Sequence, residues 1–189
     1  SRTGLKMFET GELHTNLMTA GFPSTMLEDV TQRLPDEARV VPSLGNRFLP
    51  MNTSKPPFND KRVRKAVSML VDREIINDRI VSVGARSAYA FVPPETANHQ
   101  AGAQVDFVSM AMPDRIAEAK RLLAEVGYSV DNPLRFELSY RAGYDQTRRL
   151  SAVAAMFRRA GVIAEIAAYD SRISYSKMDQ GDYEMGDGG

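Results

Sequence analysis

The sequence predicts an α/β fold, and three stretches carry that expectation. Within residues 134–168, Leu134, Phe136, Leu138 and Tyr140 alternate with Arg135, Glu137 and Ser139, a helical set of Leu150, Val153, Ala154 and Phe157 follows, and Val162 to Ala168 reads as a second strand. A helix between two strands of one sheet forces those strands parallel, because the crossover returns the chain to the same end of the sheet. Residues 55–76 and 114–126 each place apolar side chains at helical spacing, so helices flank the sheet on the faces it must bury.

Composition bounds the rest. A chain of 189 residues that is 43% hydrophobic and 25% charged can bury an ordinary core and has the length of one domain. Lys plus Arg and Asp plus Glu stand at 24 each, so no net field favours nucleic acid or an anionic membrane surface. Cysteine is absent, which excludes disulfides and thiolate sites. No apolar run reaches the roughly 20 residues that span a bilayer, and Ser1-Arg2-Thr3-Gly4 does not open a signal peptide. Both ends read as cut: a helix is under way at the start, and Gly186-Asp187-Gly188-Gly189 closes the chain directly after a strand-like segment.

In chain order, Gly11 ends a first helix and releases a short strand through Leu13 and Leu17. Pro23-Ser24-Thr25 caps a helix through Met26, Val30 and Leu34, and Pro35-Asp36-Glu37 turns the chain into a strand at Ala38 to Pro42. Arg47 to Asn52 is a further extended run, in which Pro50 lacks a ladder donor and marks an edge or a bulge. Pro56 and Pro57 fix an extended approach to a helix capped by Asn59 or Asp60, with Val63, Ala66, Val67, Leu70 and Val71 inward; Asp72 caps a restart behind which Ile75, Ile76 and Ile80 follow. From Gly84 to Met112 the periodicity fades into a long surface excursion. Ile116, Ala119, Leu123 and Val126 then restore a helix that Gly127 stops, with Tyr128 packing back on it. After the strand–helix–strand unit, Ser171 or Asp170 caps a last helix through Met178, and Gly181-Asp182 releases Tyr183-Glu184-Met185 as a strand.

Lys55-Pro56-Pro57-Phe58-Asn59-Asp60-Lys61-Arg62-Val63-Arg64 with Asp72-Arg73, then Ala119-Lys120-Arg121-Leu122-Leu123-Ala124-Glu125-Val126-Gly127-Tyr128, then Gly181-Asp182-Tyr183-Glu184 resemble the signatures of extracellular solute-binding protein family 5. These are the peptide-binding proteins of bacterial ABC importers, and the oligopeptide branch matches best. The resemblance implies a periplasmic-binding-protein-like lobe with a mixed sheet. It also implies that residues 1–189 are most of one lobe of a two-lobed protein, truncated at both termini. The implied function is capture of oligopeptides between two lobes for a membrane permease, by a monomer in the periplasm or anchored by lipid outside the cell.

Ligands of α/β sheets bind beyond the carboxyl ends of the strands, which points to Arg141, Ala142 and Gly143 from the residues alone. Arg141 is either a carboxylate clamp or a solvated turn arginine, and Phe48 either a cleft wall or a core aromatic. The resemblance places peptide-facing positions at Phe48, Arg141, Tyr175, Met178, Asp179, Asp187 and Gly189. It also departs at Asp187, where some relatives carry a basic residue that can meet a peptide carboxylate. No nucleophile elbow, phosphate loop or dinucleotide fingerprint occurs, and neither His14 nor His99 has a second ligand at metal spacing, so no enzyme, cofactor or metal is expected. A stand-alone α/β enzyme or an interaction domain of the same architecture is the alternative.

Overall fold

The computed structural model describes residues 2–16, 24–41, 45–94, 96–99 and 104–188. Its elements are α1 (Arg2–Glu9), α2 (Leu27–Arg33), α3 (Lys61–Met69), α4 (Arg73–Ile75), α5 (Met112–Ala124), β1 (Leu134–Arg141), α6 (Tyr144–Arg158), β2 (Val162–Tyr169) and α7 (Ser171–Asp179). No helix among the described residues is long and apolar enough to cross a membrane.

β1 and β2 run parallel and in register, from Leu134 opposite Val162 to Arg141 opposite Tyr169. Leu134, Phe136, Leu138 and Tyr140 turn one face of β1 inward onto α6, whose Leu150, Val153, Ala154 and Phe157 are buried against it. Phe58, fully buried, meets Phe136 edge-on with ring centroids 4.9 Å apart, and Phe136 meets Phe157 at 6.0 Å. Each such side chain contributes roughly 2–3 kcal/mol by leaving water. The Pro-Pro-Phe arm therefore enters the core at the centre of the strand–helix–strand unit.

The sheet widens beyond β1 through isolated bridges that make it mixed. Met185 lies parallel to Leu138 and antiparallel to Met51, and Gly188 lies antiparallel to Phe48. Main-chain bonds Phe48 N to Gly188 O (3.1 Å), Gly188 N to Phe48 O (2.9 Å), Gly186 N to Pro50 O (2.8 Å) and Asn52 N to Glu184 O (2.8 Å) join a second arm, residues 46–52, to residues 184–188. Pro50 accepts but cannot donate, so one rung is missing and the pairing stays a row of bridges.

The caps follow the residue chemistry. Asp60 accepts from Arg62 N at 2.8 Å, Asp72 from Ile75 N at 3.0 Å, and Asp170 from both Arg172 N and Ile173 N. α4 continues into one π-helical turn, Ile76–Val81, which ends at Ser82 with φ 52°. α5 starts at Met112, ahead of the expected Asp114, because Pro113 takes a first-turn position where no amide donor is needed.

Three expectations are corrected. Residues 12–16 form no strand, and Leu17, like Pro23 and Pro42, lies outside the described residues. Ala38 to Val41 form none either: no described segment pairs with them, and Val40 and Val41 stand exposed. Ser24 does not cap α2, whose preceding residue Met26 offers no side-chain acceptor. Ser24 is buried, and its Oγ donates to Asp145 Oδ1 at 2.7 Å in the first turn of α6, a long-range tie that local capping rules do not address.

The excursion between α4 and α5 is pinned by one buried cation. Arg115, 5% exposed, donates from Nε to Met110 O (2.8 Å), from Nη2 to Val108 O (2.9 Å) and from Nη1 to Tyr89 Oη (3.0 Å). Tyr89 Oη in turn donates to Glu74, and Arg73 stacks over the same Tyr89 ring from 4.9 Å. Phe107, held between these groups, enters the core.

Candidate ligand-binding face

The carboxyl end of β1 and the segment after α7 come together where the sheet opens. Ser139 N donates to Met185 O at 2.9 Å and Met185 N to Glu137 O at 3.2 Å, and there the ladder stops. The main-chain N–H and C=O of Asp187, next in line on that edge, make no hydrogen bond with any described residue. Beyond Met185 no main-chain bond joins this segment to β1 among the described residues, and this unpaired stretch lies at the carboxyl end of a parallel strand, the position at which α/β sheets hold ligands.

Alternation along the segment sends the Asp187 side chain to the α6 face. It accepts from Arg149 Nη2 at 2.6 Å and 2.7 Å through its two oxygens, with side-chain exposures of 5% for Asp187 and 16% for Arg149. Burial pushes the Asp187 carboxyl up from its ordinary range, against the pull of Arg149, Arg47 and Arg141. Burial likewise pushes the Arg149 guanidinium down, against Asp187. The two groups form a charged pair whose desolvation opposes it from both sides.

On the other face, Phe48 lies across Gly188: a Cβ there would stand 2.9 Å from the ring, so any side chain would displace it. Phe48 is 39% exposed, its ring tilts against Phe91 with centroids 5.3 Å apart, and Asn46 Nδ2 donates to Phe91 O at 2.9 Å. Phe48 is thus a surface aromatic on a paired arm. Met178, half-buried, brings α7 onto Gly186. Arg141 is exposed at the strand end, and its guanidinium makes no hydrogen bond or ion pair with any described residue.

Of the expected positions, the structure brings Phe48, Met178 and Asp187 together along residues 186–188 and sets Arg141 within electrostatic reach of Asp187. Tyr175 and Asp179 project from the exposed side of α7, and Gly189 lies outside the described residues. Arg149 and Arg47, which act on the Asp187 carboxylate, and Phe91, which leans on Phe48 on the opposite face, were not singled out from sequence. Arg149 neighbours the inward Leu150 on α6, and a cation beside a buried row is the one available signal.

A second polar groove, about 180 Å³, is bounded by Lys55, Glu137, Lys177, Asp182, Tyr183 and Glu184. Its charges are largely matched: Lys177 pairs with Asp182 at 3.0 Å and lies over the Tyr169 ring, Tyr169 Oη donates to Glu137, and Glu184 accepts from Glu137 N at 2.7 Å. These bonds seat α7 on the sheet. Among the described residues no group of His, Cys, Asp and Glu could hold a metal ion.

A parallel strand–helix–strand unit widened by bridges into a mixed sheet, with a main-chain edge left unpaired among the described residues at its carboxyl end, is the architecture of a solute-binding lobe. All 189 residues match the model of the bacterial extracellular solute-binding proteins, family 5, and the chain belongs to that family. It is similar to the probable deoxycholate-binding periplasmic protein YgiS of Escherichia coli, 36% identical over 141 residues covering 74% of this chain and 25% of that protein. It is also similar to the periplasmic oligopeptide-binding protein OppA of Escherichia coli, 29% identical over 185 residues, 97% of this chain and 33% of that one. Among solved structures, Haemophilus influenzae OppA in complex with the peptide RPPGFSPFR superposes with a TM-score of 0.89 at 25% identity, covering 98% of this chain and 36% of that one. The chain thus spans about a third or less of the length of these relatives. The relatives are named as binding proteins.

Proposed function

We propose that residues 1–189 form most of one lobe of a two-lobed receptor, the substrate-binding component of an ABC importer. The receptor captures oligopeptides between its lobes and presents them to a membrane permease. It works as a monomer in the periplasm or tethered by lipid outside the cell, and performs no catalysis. One observation carries the peptide reading: Asp187 offers a main-chain donor and acceptor on an open strand edge, which an extended peptide can continue by strand-like pairing. Phe48, Arg141, Tyr175, Met178, Asp179, Asp187 and Gly189 are the proposed ligand-facing positions of this wall.

A second reading takes an apolar acid of the bile-acid kind as ligand. It is favoured by the exposed Phe48–Phe91 pair and by the likeness to a probable deoxycholate-binding protein. Isothermal titration of the two-lobed receptor with mixed tri- to pentapeptides and with deoxycholate separates the two. Micromolar peptide binding with no heat from deoxycholate supports the first reading, and the converse replaces it. The isolated chain should bind either ligand no better than millimolar, because a single wall leaves most of the ligand in water.

A further inference from the structure

Tyr89 is held at its ring, its hydroxyl and its main chain. The ring centroid lies 4.9 Å from the guanidinium of Arg73 and 5.1 Å from that of Arg115, the hydroxyl joins Arg115 to Glu74, and the carbonyl accepts from Val105 N at 3.0 Å. Both cations are themselves fixed. Arg73 donates to the carbonyls of Ser68 and Val71 and to Ser68 Oγ, and Arg115 donates to the carbonyls of Val108 and Met110. Guanidiniums so tied and so placed against an aromatic ring make a rigid stack. The stack anchors one end of a short strap, residues 89–91.

The other end of the strap carries Phe91. That side chain is 69% exposed, so the area it buries is too small to keep it in place. Asn46, at the start of the paired arm, supplies the tie: its Nδ2 donates to Ala90 O at 3.3 Å and to Phe91 O at 2.9 Å. Phe91 is thereby set against Phe48, with ring centroids 5.3 Å apart, and Phe48 in turn lies over Gly188 at the edge of the ligand wall. Two exposed rings on tied main chain are a preformed surface for an apolar group.

We propose that Tyr89 and Asn46 are positioning residues for the ligand wall: together they hold Phe91 against Phe48, and the fixed ring pair takes an apolar side chain of the ligand. This rests on the reading of Phe48 as part of that wall and adds a specificity element to it. Tyr89 acts through the main chain two residues along, so removing its ring frees the strap, whereas Asn46 ties strap and arm directly. With the pair loosened, Phe48 turns off Gly188, and the ligand must order both rings as it binds. Ligands without a large apolar side chain do not use the pair and lose nothing.

Heteronuclear NMR of the 189-residue chain reads the positioning without any ligand. Because a Cβ on Gly188 would stand 2.9 Å from the Phe48 ring, the Gly188 α protons carry a ring-current shift that Phe48→Leu abolishes. Tyr89→Leu and Asn46→Ala should each move those protons most of the way to their Phe48→Leu positions. Tyr89→Phe keeps the ring in the stack and should leave them near the parent's. Asn46 is only half-buried, so its variant decides the matter even where Tyr89→Leu fails to fold. Titration calorimetry of the two-lobed receptor then compares Ala-Phe-Ala with Ala-Ala-Ala. The two loosening variants should weaken Ala-Phe-Ala about two- to tenfold, the worth of one aromatic contact, and leave Ala-Ala-Ala unchanged. Unmoved Gly188 protons in Asn46→Ala, or the same loss for both peptides, overturn the positioning role. Shifted protons with both affinities intact overturn the part of the ring pair in recognition. If the parent binds neither peptide, the peptide reading of the face falls, and the Gly188 protons alone decide the positioning.

Discussion

Arg149→Met, Asp187→Leu and the double variant form a cycle whose outcome follows from the burial of this pair. Removing Arg149 leaves a carboxylate that is 5% exposed without its two-oxygen partner. Breaking a buried pair costs about 3–5 kcal/mol, and Arg47 and Arg141 still act on Asp187, so we expect the low end, about 3 kcal/mol. Asp187→Leu strands the guanidinium instead, but Arg149 is 16% exposed and its long stem can carry the head toward water, so the cost falls to about 1–2 kcal/mol. The double variant exchanges a desolvated pair for an apolar one and should lie within about 1 kcal/mol of the parent, so against single costs that sum to about 4–5 kcal/mol the coupling is about 4 kcal/mol. Urea denaturation followed by circular dichroism measures all four corners. Because burial raises the Asp187 carboxyl, its penalty exists only where that group is ionised in the unfolded chain. The deficit of Arg149→Met should thus be fullest near neutral pH and shrink as pH falls through the folded value toward the unfolded one. Additive single effects, or a deficit that grows on acidification, would refute this account of the pair.

Other expectations follow from the same structure. In the two-lobed receptor, Arg141→Ala should weaken acidic or short peptides by roughly 1–3 kcal/mol, the range for a charge-assisted hydrogen bond, while long apolar peptides change less; titration calorimetry across a peptide panel decides it. Arg115→Met removes the donors of two loop carbonyls and should cost about 3 kcal/mol, with hydrogen exchange accelerating at the amides of residues 105–110; Tyr89→Phe should cost about 1 kcal/mol. The Asp60 carboxyl is pulled to about 2 by its hydrogen bonds from Arg62, so its contribution is present above the unfolded value of 3.8 and lost as pH falls toward 2. The stability difference between the parent and Asp60→Asn should therefore shrink steadily across that window, and a difference that stays undiminished from neutral pH down to pH 2 contradicts the assignment.

The strand–helix–strand unit was legible because Leu134 to Tyr140 and Leu150 to Phe157 carry clean periods of two and of 3.6. The caps at Asp60, Asp72 and Asp170 were legible because capping is a matter of a few neighbouring residues. The Ser24–Asp145 tie was not, since it joins groups 121 positions apart. Nor was the role of Arg115, which in a helical period looks like one more solvated cation; its burial follows from where the excursion folds back. At the site, the rule for strand carboxyl ends led to Arg141, and the family resemblance to Phe48, Met178 and Asp187. Arg149 escaped notice because its partner becomes apparent only when α6 is laid against the segment beyond α7. Phe91 sits in a stretch with no period to read.

The bridge between Phe48 and Gly188 also has a consequence for how the chain comes into being. Synthesis runs from one end, so the arm at residues 46–52 emerges long before the segment that pairs with it. Closing a loop of that length costs roughly 4 kcal/mol of chain entropy, which the bridge alone cannot repay. α3, α5 and the strand–helix–strand unit can assemble first, since their contacts lie closer along the chain. The arm waits beside them with its edge open until residues 184–188 arrive, and the surface proposed to receive a ligand is completed only after the core beneath it.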